Sequence, residues 1–441
     1  MVARGRVYVT SLTVFLAGCS GSTLFPRLAL APSPHERYAD ALRGNDLSDT
    51  ALGRDWLNAA TAAMAQPLTV TLPMREAGYF AADRPSAVAY QLALQRGRRL
   101  SIEITFESVT TAQLFVDLFE VRADATPRRV ASLTEGSTLT TDVPRDGTYL
   151  LRVQPELLRS GRYTLVQRTL ASLPFPVEGL TAAAVQSEFG AARDAGRREH
   201  QGIDIFAARN TPVVAVVDGV AQADTNPLGG NVVWLREGGE PRSFYYAHLT
   251  RAAFEGTASV RTGDVVGYIG NTGNARTTPP HLHFGIYQRG AIDPLPFLRM
   301  DESVPPAISD ADRWLAELVR VSSPRAPLRG GISRDVPVIA QLDRATPARV
   351  VGVTGSVLRV ELPDRTHGYL DRGLVALAGT PLRRQSLRVG QIVREAPDPA
   401  APAITTIAEP VTVDVLGEFN GFVLIQTTAS PSGWIEQPPA P

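Results

Sequence analysis

The stretch that decides the reading is His200-Gln-Gly-Ile-Asp204-Ile205-Phe206, answered further along the chain by His281-Leu-His283-Phe284. Ile203 and Ile205 alternate with Asp204, which predicts a strand with its apolar face inward. Positions i and i+4 of a strand share a face, so His200 and Asp204 can meet one ion. Gly202 between them leaves room for backbone beside it. His281 and His283, two apart, also share a face, with Leu282 and Phe284 on the other. Two imidazoles and one carboxylate leave zinc an open fourth position, the arrangement of a catalytic and not a structural site. Zinc so held lowers the pKa of its water toward about 7.

The histidines are few and concentrated. Of six in 441 residues, His200, His248, His281 and His283 fall in one region, leaving His35 and His367 outside it. In His35-Glu-Arg-Tyr-Ala39 an alanine stands where a His-Glu-x-x-His zinc motif needs its second histidine. His367 precedes a β turn and is expected to be exposed.

Composition removes rival chemistries. The chain is 44% hydrophobic and 20% charged, as ordinary globular proteins are. All 44 basic residues are Arg and none is Lys. That excludes a P-loop lysine, a Schiff-base lysine and a Ser-x-x-Lys acyl-enzyme. One Cys excludes an intrachain disulfide, a multi-cysteine zinc site and an iron–sulfur cluster. Zero formal net charge gives no electrostatic footprint for nucleic acid.

Together the motifs resemble the lysostaphin/LytM-type zinc metallopeptidases, which cut the peptide part of peptidoglycan. Further matches are Arg198 and Gly202, Tyr246-Ala-His248-Leu249, and the segment Val260-Arg-Thr-Gly-Asp-Val-Val-Gly-Tyr-Ile-Gly-Asn-Thr-Gly273. The resemblance covers roughly residues 180–299 and implies an antiparallel β peptidase domain. It implies that His200, Asp204 and His283 bind one zinc ion, while His281 and His248 stay free of metal. His281 is then expected to be the general base, and His248 to orient water or stabilise the oxyanion. The connection Asn274-Ala-Arg-Thr-Thr-Pro-Pro280 departs from the family by being longer and by carrying Pro279 where Gly is usual. It bounds the cleft, so it bears on substrate preference and not on the metal. Trp234, Tyr245 and Tyr246 are expected to pack within strands.

Around this region the chain is expected to be mainly β. Residues 1–18 read as a secretory signal. Leu16-Ala-Gly-Cys19 resembles the bacterial lipobox, which implies lipid on Cys19 and anchoring in a membrane. Ser20 after the Cys implies the outer membrane of a Gram-negative cell, facing the periplasm. A tether over 19–37 and a helical segment over 38–66 precede alternating strands over 67–171, which predict a jelly-roll-like β-sandwich. A linker helix is expected over 308–321. Two units over 322–379 and 385–438 resemble SH3-like barrels, with Gly368-Tyr-Leu370 and Gly433-Trp-Ile435 at matching places.

The expectation is a zinc endopeptidase of peptidoglycan cross-links, held as a periplasm-facing lipoprotein, with cell-wall enzymes as further partners. The alternatives are a non-hydrolytic regulator that activates an amidase and a wall-binding scaffold lipoprotein. Without Lys, and with its one Cys assigned to the anchor, the chain leaves metal-activated water as the leading route to wall-peptide hydrolysis.

Overall fold

The computed structural model describes residues 30–193, 196–239, 241–299, 304–308, 311–426 and 432–437. The expected signal segment and Cys19 lie outside the described residues. The chain is mainly β, and among the described residues no helix is long and apolar enough to cross a membrane.

The first helix, Pro34–Gly44, begins inside the segment expected to be a tether. The reason is a capping box: Ser33 Oγ accepts the Glu36 amide at 3.1 Å, and the Glu36 carboxylate takes the Ser33 amide at 2.7 Å. Pro34 at the first helical position costs no hydrogen bond. A second helix, Ala51–Ala65, follows. Both lie against the sandwich through Trp56, which is buried and stacks on His35 with ring centroids 4.7 Å apart.

The sandwich has two sheets. One orders its strands Leu68–Thr69, Val88–Leu94, Gly147–Pro155, Leu114–Val121 and Pro127–Ser132. The other runs from Thr138–Asp142 through Arg98–Ser108 and Gly161–Ala171 to Met74–Phe80. Alternating Leu100, Ile102 and Ile104 meet Tyr90, Leu92 and Leu151 between the sheets. The second sheet does not end there. Ala77 and Gly78 pair with Val353 and Gly352, so the strand Pro347–Thr354 of the first C-terminal unit continues it into one eleven-stranded sheet. The region that holds the histidines is therefore inserted between two sequence segments that share a sheet. A separate six-stranded sheet over 383–436 closes the chain.

The expected linker helix is corrected. Asp310 lies outside the described residues; beyond it stand a 3-10 turn, Ala311–Trp314, and a strand, Leu318–Val321. Ala316 has φ 66°, a left-handed conformation that ends helical winding. Val319 and Val321 are buried on one face, and the strand pairs with Pro347–Thr354 and Val375–Leu377.

Residues 185–292 form a ten-stranded sheet in which Val185–Ser187, Ile203–Phe206, His281–Tyr287, Ser243–Ala252, Gly230–Glu237, Gly219–Asn226 and Thr257–Val260 lie side by side. Every pairing in it is antiparallel. Ile203, Ile205, Leu282, Phe284 and Ile286 fill one side of the sheet with no exposed surface. The opposite side carries the polar partners of the alternation.

Candidate metal and catalytic site

Asp204 stands opposite His283, and Phe206 opposite His281, across the ladder between Ile203–Phe206 and His281–Tyr287. Alternation forces these four side chains to the side away from the isoleucines. His200 joins them from the preceding hairpin, whose ladder ties His200 N to Ala191 O at 2.9 Å and Gly190 N to His200 O at 2.8 Å.

Three donor atoms converge. His200 Nε2 lies 3.1 Å from Asp204 Oδ1 and 2.9 Å from His283 Nδ1, and His283 Nδ1 lies 3.1 Å from the same Asp204 oxygen. His200 Nδ1 is occupied by the Glu188 carbonyl at 2.9 Å, so Nε2 is the nitrogen turned to the centre. One ligand atom from each of His200, Asp204 and His283 lies within 4.8 Å of the others. Three lone-pair atoms this close need a shared cation or proton between them, and the two-imidazole, one-carboxylate set is that of catalytic zinc. The residues fit the metal.

Burial alone would raise the Asp204 carboxyl, but hydrogen bonds with His200 and His283 outweigh it and hold the group below the usual carboxylate range. Burial lowers His283. Gly202 is required beside it: an added Cβ would stand 2.5 Å from the Phe284 carbonyl oxygen and 2.8 Å from the His283 ring.

His281 and His248 stand outside the triad. Their ring centroids are 5.0 Å apart, and His248 is 6.0 Å from His283. His281 Nδ1 contacts Pro279 O and His248 Nδ1 contacts Thr272 O, each at 2.9 Å. A carbonyl can only accept, so both Nδ1 atoms donate and each neutral ring keeps its lone pair on Nε2. Burial, with His281 and His283 nearby, pushes His248 down to about 4. His281 also stacks on Phe206 at 4.9 Å.

Strict alternation would send His248 into the core beside Tyr246. Instead the three-residue step from Tyr246 to Leu249 opposes the two-residue step from Val233 to Asn231, and His248 takes φ 64°. This bulge turns its ring to the site while Tyr246 and Leu249 both stay buried. Gly230 and Gly273, both with positive φ, let the loops holding Thr272 close over it.

The structure thus brings together all five residues singled out in the sequence. Tyr246 packs in the core and donates no surface to the cleft, while Trp234 and Tyr245 lie tilted against each other with ring centroids 4.4 Å apart and are half-buried. His367 is half-buried and not exposed, with burial lowering its pKa. His35 serves the first helix's packing. Arg193 is a residue that sequence reasoning missed: its Nη2 lies 2.6 Å from Asp204 Oδ2. No periodic pattern marks it, because it reaches the site from a short hairpin.

Residues 198–294 match the family description Peptidase family M23. This chain carries a family M23 peptidase domain. Members of family M23 are zinc metallopeptidases, in keeping with the His-Asp-His group. Over 107 residues the chain is 36% identical to a glycyl-glycine endopeptidase, ALE-1, of Staphylococcus capitis, covering 23% of this chain and 29% of that protein. It is 33% identical over 163 residues to the DD-carboxypeptidase/endopeptidase Mpg of Neisseria meningitidis serogroup B, covering 35% and 36%. It is 34% identical over 139 residues to the L-Ala--D-Glu endopeptidase of Bacillus subtilis, covering 28% and 42%. The chain thus spans well under half the length of these curated relatives. Among solved structures it is similar to the catalytic domain of lysostaphin from Staphylococcus simulans, at 30% identity and a TM-score of 0.24, covering 26% of this chain and 90% of that one.

Proposed function

We propose that the M23 domain of this chain is a zinc-dependent endopeptidase that hydrolyses the peptide cross-links of peptidoglycan. The observation that carries the reading is the division among four histidines. Two turn donor atoms to a carboxylate-bearing centre, and two stand beside it with Nδ1 capped by carbonyls and Nε2 free. A purely structural metal site has no use for the second pair.

When bound, zinc supplies Lewis acidity that polarises the scissile carbonyl and acidifies water. His281 Nε2 takes the proton as the water oxygen adds to the carbonyl carbon. It returns that proton to the nitrogen as the C–N bond breaks, leaving a carboxylic acid and an amine, between which the remaining water proton passes to give carboxylate and ammonium. His248, neutral because it is buried, orients the water and the developing oxyanion beside it. The Asn274–Pro280 connection is fastened to the site by Asn271, whose Nδ2 donates to the carbonyls of Arg276 and Thr278 at 3.3 Å.

The names of the curated relatives, each an endopeptidase, support the peptide bond as target. The lipobox-like Leu16-Ala-Gly-Cys19 supports anchoring through Cys19 at a periplasm-facing membrane, for which palmitate labelling lost in Cys19→Ala is the expected result. Digestion of purified cross-linked peptidoglycan by the intact chain tests the activity. New amino groups without new reducing sugar ends are expected. Peptidoglycan left intact by the zinc-loaded chain would refute the reading.

A further inference from the structure

We propose that Arg193 is a positioning residue that presents Asp204 to the metal through a single oxygen. The inference rests on the zinc reading of the site but concerns ligand geometry and not the bond that is cut.

The two Asp204 oxygens have separate tasks. Oδ1 faces His200 Nε2 and His283 Nδ1, each 3.1 Å away. Oδ2 points away from that centre and accepts Arg193 Nη2 at 2.6 Å. The same nitrogen reaches Ser187 Oγ at 2.7 Å, and Ser187 stands directly opposite Asp204 in the neighbouring ladder. The guanidinium therefore bridges two side chains whose backbones are already fixed in one sheet.

The clamp also shares a hairpin with a ligand. Arg193 pairs with Arg198, Ala192 with Glu199, and His200 N bonds Ala191 O in continuation. Whatever holds that hairpin sets His200 and Arg193 together. A carboxylate turns easily about its last torsion, and with both oxygens free it can chelate an ion or swing off it. A guanidinium on Oδ2 removes both freedoms. An exposed ion pair would do little of this kind, but Asp204 is buried. Arg suits the task because it is always charged and its Nη2 carries two N–H groups, one for each acceptor.

The test is zinc affinity of the intact chain, measured by competition with a chelator, for the wild type, Arg193→Ala and Arg193→Lys. Partners of metal ligands set affinity by about 10–100-fold, and a loss in that range is expected for Arg193→Ala. Arg193→Lys is expected to recover part of it, since an ammonium can still hold one oxygen. X-ray absorption at the zinc edge is expected to show one carboxylate oxygen near ~2.0–2.2 Å in the wild type, and a second or a displaced one in Arg193→Ala. Wild-type affinity and wild-type ligand count in the two variants would overturn the proposal. Because the readout is metal uptake, a zinc-loaded wild type that cut no peptide would count against the proposed function alone.

Discussion

Glu76 and Arg359 lie 283 positions apart in the chain and form an ion pair of 3.1 Å from which solvent is excluded. Glu76 Oε1 also accepts the hydroxyls of Tyr90 and Tyr163 at 2.6 and 2.9 Å, and Oε2 accepts that of Tyr369 at 2.9 Å. Arg359 Nη2 donates to Tyr163 Oη and to the Val351 carbonyl. The network joins the sandwich to the first C-terminal unit where their strands share a sheet.

Removing one charge of this pair strands the other. Arg359→Met is expected to destabilise the chain by about 3–5 kcal/mol, the usual cost of an uncompensated buried charge. The double variant Glu76→Gln/Arg359→Met is expected to recover much of that loss. Urea denaturation of the two variants reads the difference. An unchanged midpoint in Arg359→Met would remove the network from the account of how these segments hold together.

His35 gives the fold a pH dependence of known sign. Burial, with Arg152 nearby, lowers its pKa from 6.5 to about 4. The folded chain therefore binds the His35 proton more weakly than the unfolded chain does. Its contribution is present above pH 6.5 and is lost as pH falls toward 4, up to about 3 kcal/mol at roughly 1.4 kcal/mol per pKa unit. Thermal midpoints of the wild type and His35→Gln, compared from pH 7 to pH 4, are expected to converge on acidification. Parallel curves would contradict this.

His248 owes its place to a left-handed backbone, so the choice of substitution matters. Asn tolerates that conformation better than most residues. His248→Asn is expected to keep the fold and the zinc while lowering kcat/KM by about 100-fold or more. Circular dichroism, zinc content and peptidoglycan digestion read the three quantities separately. Wild-type turnover in this variant would remove His248 from the chemistry.

Much of the site is legible in the sequence because strands alternate with a period of two. Ile203 and Ile205 against Asp204, and Leu282 and Phe284 against His281 and His283, assign faces without any knowledge of the fold. His248 defeats the same rule, since its bulge reverses the parity that Tyr246 and Leu249 would impose. Arg193 is silent because a two-residue strand carries no period. The pairing of Met74–Phe80 with Pro347–Thr354 is silent too: alternation tells which face of a strand is buried but not which distant strand lies at its edge. The strand Leu318–Val321 was hidden by Trp314, Leu315, Leu318 and Val319, whose spacing also suits a helix; Ala316 in a left-handed conformation resolves the conflict.

The division of labour among the histidines is tested most directly by zinc content and peptidoglycan cleavage measured on the same preparations of His281→Ala and His283→Ala. The account predicts that His281→Ala retains one zinc per chain and loses cleavage by about 100-fold or more, whereas His283→Ala loses both zinc and cleavage. Full activity in His281→Ala, or stoichiometric tight zinc in His283→Ala, would contradict it.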